Sequence, residues 1–278
     1  MNLRQRLKTA VVKHLFSYDA GDLGRFLQRS GLQRGDTLML HSSWQPLNGF
    51  KGTPAQFGAA LREYLGPEGL LVMPSLTYHN QSSAEFLAGG KPMDVRRSPS
   101  AMGLLTEVFR RNKEVVRSLS PTHPLLAWGK DAQDFIADHE KTNRPFGPQS
   151  PFAKLLERNA LLLCLDVGFS SITFTHFVED RLQDTLPFPL YETEPMTGTV
   201  IGRDGQQIEC AVNVLSAVAN RQRREPRLIE HLTRAGSLKQ KRLGNSRMTW
   251  IRTADLVTGA ESLAKLGPHF FDMLPTTA

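Results

Sequence analysis

The stretch ALLLCLDVGFSSITFTHFVED, residues 160 to 180, decides the fold of this 278-residue chain. Its first half is apolar without a break, the composition of a strand covered on both faces, as at the centre of an α/β sheet. Asp166-Val167-Gly168 ends that run, and Ile172 to Leu182 reads as a helix. A strand, a glycine-containing turn and a helix form the repeating unit of α/β proteins, and the turn is a common place for ligands. His176 stands near the start of the expected helix, with Glu179 and Asp180 three and four positions on. That spacing puts both carboxylates near the face that carries the imidazole. A histidine beside carboxylates can serve as a general base. The same triplet also suits an ordinary helix surface, and the residues alone leave both readings open.

Outward from this segment, strand and helix signals alternate. TLMLH, 37 to 41, reads as a short buried strand, and Thr53 caps TPAQFGAALREYLG, with Pro54 at its first position and Gly66 at its end. GLLVMP, 69 to 74, is a second strand, stopped by Pro74, and a long loop then runs to about Arg97 as a candidate lid. Ser100 is expected to cap AMGLLTEVFRRN. LLAW, 125 to 128, is a strand followed by a helix through Ala137, and Ser150-Pro151 opens PFAKLLERN. Downstream, TGTVIG and QQIECAV flank Arg203-Asp204-Gly205 as a β-hairpin. Residues 188–250 are expected to form a small β-containing lobe, and TADLVTGAESLAKLG a last helix capped by Thr253. The expected fold is a three-layer α/β/α domain over 1–278 with a mixed central sheet.

Composition narrows the function classes. No run approaches the roughly 18 apolar residues of a membrane span, and Lys13 and His14 interrupt the basic opening MNLRQRLKTAVVKHLF before a signal-peptide core forms. A cytoplasmic protein is expected, with Cys164 and Cys210 as reduced core thiols. There is no HExxH and no cysteine pair at zinc spacing, so no metal is expected. GxSxG, Walker and GxGxxG motifs are also missing. The net charge of +7 is concentrated in RQRREPRLIEHLTRAGSLKQKRLGNSR, 221 to 247. That stretch fits a solvated helical face better than a nucleic-acid site, because no aromatics are interleaved through it. A non-catalytic anion- or nucleic-acid-binding protein is the rival it raises. LHSSW, 40 to 44, leads into NGFKGTP, whose hydroxyls, lysine and glycines suit a phosphate or an ordinary βα loop. RRSPSAMG, 96 to 103, and RSLSPTHP, 117 to 124, are turns with anion-contacting residue types.

Six segments occur in a telling order: DTLMLHSSW, FKGTPAQFGAALREYLGPEGLLVMPSLTY, MDVRRSPSAMGLLTEVFRR, VRSLSPTHPLLAWGKDA, FGPQSPFAKLLE and LLLCLDVGFSSITFTHFVED. Over about residues 20 to 182 the chain thereby resembles the aminoglycoside 3-N-acetyltransferase family, which is distinct in fold from the GCN5-type acetyltransferases. The resemblance implies acetyl-CoA as cosubstrate and direct transfer of its acetyl group to an amine of an aminosugar. The family's T-x-x-H-x-x-E pattern matches Thr173, His176 and Glu179. It makes His176 the general base, Glu179 its orienting partner or the holder of the incoming ammonium, and Thr173 a donor to the developing oxyanion. Glu179 and Asp180 become the substrate-binding acids. His41, Ser42, Ser43, Lys51, Gly52, Ser98, Thr122 and His123 fall on the CoA side. The implied partners are small molecules, with no nucleic acid and no membrane; oligomeric state is open, a homodimer being one option.

The chain departs from the family's pattern at three places. Lys51-Gly52 replaces a glycine pair, and Ser120-Pro121-Thr122-His123-Pro124 lacks one histidine and one serine of the family's run. Thr142-Asn143-Arg144-Pro145 stands where an acid and a tyrosine commonly precede Phe-Gly. Together with the basic stretch at 221 to 247, the last change points to a less cationic aminosugar, of a nucleotide-linked or surface-polysaccharide kind, as the alternative to an antibiotic.

Overall fold

The structure, a computed structural model, describes residues 3–267 and 269–273. In chain order the elements are α1 (Leu3–Leu15), α2 (Ala20–Arg29), β1 (Thr37–Ser42), α3 (Pro54–Leu65), β2 (Leu70–Pro74), α4 (Ser83–Ala88) and β3 (Met93–Asp94). There follow α5 (Leu104–Arg110), β4 (Val116–Arg117), β5 (Leu125–Gly129), α6 (Ala132–Ile136), α7 (Pro151–Glu157), β6 (Leu161–Leu165) and α8 (Thr175–Arg181). The last third holds β7 (Met196–Ile201), β8 (Gln207–Val212), α9 (Ala217–Gln222), α10 (Glu225–Arg234), β9 (Lys239–Leu243), β10 (Ser246–Arg252) and α11 (Thr253–Lys265).

Seven strands make one mixed sheet in the order β4-β5-β2-β1-β6-β10-β9. β2, β1 and β6 run parallel at its centre, and antiparallel strands close both sides. Every residue of β6 is buried, as its unbroken apolar run requires. Alternate side chains serve opposite layers. Leu161, Leu163 and Leu165 pack with Leu38 and Leu40 of β1 against Leu27 of α2, Phe57 of α3 and Phe109 of α5. Leu162 and Cys164 pack with Met39 and Val72 against Phe152 of α7, Val178 of α8 and Leu256 of α11. The molecule is therefore a three-layer α/β/α fold, as expected. The edge strand β9, Lys-Gln-Lys-Arg-Leu, is solvent-facing, and its charges discourage pairing with another sheet.

Local chemistry sets the element ends. Thr53 caps α3 with a reciprocal Gln56 contact, Pro54 opens that helix and Gly66 closes it at φ +73°. Four expectations are corrected. Ser100 does not cap α5: Gly103 does, at φ +102°, a conformation that favours glycine. Thr253 lies inside the first turn of α11, and its hydroxyl donates to the Leu155 carbonyl. The helix expected from Ile172 shortens to α8 after a 3-10 turn at Phe169–Ser171. The loop to Arg97 is not structureless, since α4 and β3 form within it.

The hairpin β7–β8 turns at Asp204-Gly205, with Gly205 at φ +88°, and joins β3 in a separate three-stranded sheet. Val200, Cys210 and Val212 make a small core there with Leu87 and Met93. The stretch 188–250 is nevertheless not one lobe. α10 packs on the main core, and β9 and β10 complete the large sheet, because β10, with Met248 and Trp250 on one face and Ile251 on the other, finds its partner in β6 rather than in the hairpin.

Leu163 is wholly buried on the central strand. Leu163→Ala is expected to destabilise the fold by about 2–5 kcal/mol, read as a lower denaturant midpoint. Lys241→Ala on the exposed edge is expected to stay within about 0.5 kcal/mol of the parent.

Candidate active site

Parallel pairing sets His41 of β1 beside Cys164 of β6, and Ser42 beside Leu165. The loops after both strands therefore leave the sheet together, at its carboxyl-terminal edge, where α/β folds hold ligands. The Thr173 backbone N–H donates to His41 Nε2 at 3.1 Å. That contact puts the His41 proton on Nδ1, and Nδ1 is buried with no hydrogen-bond partner. Burial pushes the His41 imidazole down to about 3, so the ring is neutral. His41, Ser42, Ser43 and Trp44 line a cavity of about 360 Å³ with Met102 and Leu104 from the start of α5.

A second cavity, of about 410 Å³, is lined by His176, His123, Tyr78, Glu192, Asn220 and Arg223 among others. The segment after β2 separates the two. Pro74 and His79 line the first cavity, while Leu76 and Tyr78 line the second. Arg117 anchors this partition by donating through Nη2 to the Ser75 carbonyl and through Nη1 to the Ser98 carbonyl at 2.6 Å. Burial, and after it the nearby Arg110, lowers Arg117 to about 10, which leaves it charged at neutral pH. Glu107 of α5 steadies the neighbouring turn, accepting from the Ser100 N–H at 2.9 Å and from Arg110 and Arg111.

His176 Nδ1 lies 2.8 Å from Glu179 Oε2. The carboxylate holds the proton on Nδ1 and leaves the Nε2 lone pair free to accept one. Glu179 is 1% exposed. Burial opposes its charge, yet His176 and Arg223 outweigh burial and hold its carboxyl below the usual range. Arg223 grips both carboxylate oxygens, Nε on Oε1 and Nη2 on Oε2 at 2.9 Å. Phe146 lies between two imidazoles, its ring centroid 5.0 Å from His176 and 4.5 Å from His123. His123 meets Thr122 Oγ1 at 3.0 Å and the Tyr78 hydroxyl at 3.4 Å. Burial first, then His176 and His139, keep His123 well below the ordinary histidine range.

Residues 39–265, most of the chain, match the family described as aminoglycoside 3-N-acetyltransferase. The chain belongs to that acyltransferase family. It is 31% identical to an SPbeta prophage-derived aminoglycoside N(3')-acetyltransferase-like protein, YokD, of Bacillus subtilis strain 168, over 63% of this chain and 70% of that protein. It is 32% identical to aminoglycoside N(3)-acetyltransferase IV of Salmonella over 54% of each chain, so it spans about half the length of that relative. Its structure resembles that of the aminoglycoside acetyltransferase AAC(3)-IVa apoenzyme at a TM-score of 0.72, with 25% identity and 94% of each chain covered. A mutant of that enzyme with a histidine replaced by alanine, in complex with a gentamicin, matches equally well, with 92% of each chain covered.

Against the family's pattern, the structure brings some expected site residues together and separates others. His41, Ser42 and Ser43 share the first cavity. His123, expected on the CoA side, lines the second cavity beside His176, and Thr122 is buried behind it. Lys51 and Gly52 are exposed at the entry to α3 and line neither cavity. Ser98 closes a turn by accepting from the Asp94 N–H, and also lines neither. Glu179 contacts the imidazole but is buried between protein partners. Asp180 is turned away from the cavity: Arg144 holds it with Nε at 2.8 Å and with Nη2, and the Tyr191 hydroxyl donates to it. Arg223, Tyr78 and Phe146 are the residues that sequence reasoning missed. Arg223 sat unnoticed in the basic stretch, which divides among the end of α9, α10 and β9–β10. Arg224 and Arg227 of the same stretch pair with Asp272. Among the described residues, no group of three or more His, Cys, Asp or Glu is placed to hold a metal, and no helix is long and apolar enough to cross a membrane.

Glu107 provides a stability test of the turn beside the first cavity. Its hydrogen bonds, led by Arg110, lower its carboxyl to about 2 from an ordinary 4.5. A lowered carboxylate contributes stability above its unfolded value and loses it as pH falls through the folded one. Glu107→Gln is expected to cost about 2 kcal/mol at pH 7. The gap from the parent in denaturant titrations should narrow as pH falls from 4.5 toward 2.

Proposed function

We propose that this chain transfers the acetyl group of acetyl-CoA directly to an amine of an aminoglycoside or a related aminosugar, with His176 as general base. The observation that carries this reading is the His176–Glu179–Arg223 chain at the mouth of the second cavity, one short partition away from the loop after β1. The relative whose mutant form was determined with a gentamicin supports an aminosugar as the acceptor class.

The residues around the first cavity fit a pantetheine arm and its thioester. His41 Nδ1, Ser75 Oγ and Thr77 Oγ1 are buried polar atoms without partners where β1 and β2 end, and Trp44, Met102 and Leu104 offer apolar wall. His41, Ser42 and Ser43 would hold that arm. Bound acetyl-CoA supplies an activated acyl carbon. An acceptor amine is protonated near neutral pH and attacks only as the free base, so removal of its proton is the protein's main chemical task. His176 Nε2 takes that proton, and Glu179 stabilises the imidazolium across a 2.8 Å contact. A positioned base of this kind contributes about 10²–10⁴-fold. Alignment of amine and thioester across the partition adds up to roughly 7–11 kcal/mol. Thr173 would serve the developing oxyanion through its hydroxyl, because its backbone N–H is committed to His41.

His176→Ala is expected to lower kcat by about 10²-fold or more, measured as thiol release with an aminosugar acceptor. Calorimetry should find CoA affinity nearly intact; undiminished turnover would remove His176 from the base role. Arg223→Gln probes the third member of the chain. Loss of the guanidinium leaves the Glu179 charge opposed by His176 alone, so the pair takes up a proton at higher pH. The acid limb of kcat/KM should move upward in pH, with smaller losses at high pH than at low. A uniform loss at all pH values would assign Arg223 to folding alone.

A further inference from the structure

The charge inventory of the second cavity speaks to its acceptor, and this inference rests on the acetyl-transfer reading above. The cavity wall carries one carboxylate, Glu192, and one guanidinium, Arg223. Glu192 Oε1 already accepts from the Ala217 N–H at 2.8 Å at the start of α9. His123 is held neutral by burial and by the neighbouring rings. The two acids that follow His176 in α8, Glu179 and Asp180, are 1% and 3% exposed. Each is gripped through two nitrogens by an arginine of the chain itself: Arg223 holds Glu179, and Arg144 holds Asp180 with help from Tyr191. The other polar side chains of the wall are uncharged: Tyr78, Gln81, Ser82, Ser83 and Asn220, of which Ser82 already meets Glu85 and Asn220 Oδ1 accepts from Arg223.

We infer that the acceptor is an aminosugar with a single basic nitrogen, recognised through its hydroxyls, and that polycationic aminosugars are disfavoured. An ammonium entering a half-enclosed cavity sheds water and needs a carboxylate in exchange. This wall has one to offer, because the Glu179–Arg223 pair adds no net charge to it. The net charge of +7 opposes the approach of a polycation at longer range as well. A sugar with one amine meets neither penalty, and the uncharged side chains match its hydroxyls.

The test compares initial rates of thiol release from acetyl-CoA with D-glucosamine and with gentamicin as acceptors, using the full chain at one ionic strength. The parent is expected to favour the single-amine sugar by about tenfold or more in kcat/KM. Ser83→Asp adds a carboxylate to the wall in the first turn of α4, where an acid suits the helix. It should move the ratio toward gentamicin by about threefold or more. A parent preference for gentamicin, or a ratio that Ser83→Asp does not move, overturns the assignment. If CoA binds in calorimetry but neither acceptor is turned over, the acceptor class is wrong while the cosubstrate reading stands. If CoA does not bind and no thiol is released, the transferase reading itself fails.

Discussion

The parallel pairing of β1 with β6 governs this molecule, because it joins two strands distant in the chain and releases their loops at one edge. β6 is apolar on both faces and is stable only between covered neighbours. Once β1 lies beside it, the end of β1 brings His41 and two serines to the edge where the segment after β6 brings Thr173 and then His176 of α8. The hydrogen bond from the Thr173 amide to His41 then ties the loops together. It also fixes the tautomer of a neutral ring and leaves that ring's other nitrogen without a partner. Core packing and site geometry are thus consequences of one register.

The His176–Glu179–Arg223 chain shows how a buried charge is made tolerable. Glu179 has lost nearly all contact with water, and a carboxylate so placed would ordinarily be neutral. Arg223, delivered from the end of α9, compensates it from one side while His176 meets it from the other. The carboxylate therefore stays charged and holds the imidazole in one orientation through Nδ1. Asp180, next in sequence, has the same burial but a different fate, because Arg144 and Tyr191 turn it into a structural tie.

What was legible in the sequence was whatever burial and local turn chemistry write directly. The apolar run of β6, the Thr53–Pro54–Gly66 punctuation of α3 and the Asp204-Gly205 hairpin are each decided by neighbouring residues. The spacing of His176 and Glu179 belongs here too, since one helical turn determines their meeting. Residues whose role depends on distant partners were not legible. Nothing adjacent to Arg223 announces a contact with a glutamate 44 positions away, and a basic stretch hides it among surface charges. Asp180 reads like Glu179 until Arg144 is seen beside it. Lys51 and Gly52 read as ligand contacts by their chemistry but are carried away from both cavities by the entry to α3. Ser100 lost the cap position because Glu107 claims its amide and Gly103 adopts the required backbone angle.

The partition between the cavities has an evolutionary consequence. Pro74 and His79 line one cavity while Leu76 and Tyr78 line the other, so the two walls are written by different side chains of one short segment anchored by Arg117. Substitutions at α4 or at the start of α9 can reshape the second cavity without disturbing the residues of β1 and α5 that line the first. A lineage built this way can remodel one cavity by small steps while the other keeps its form.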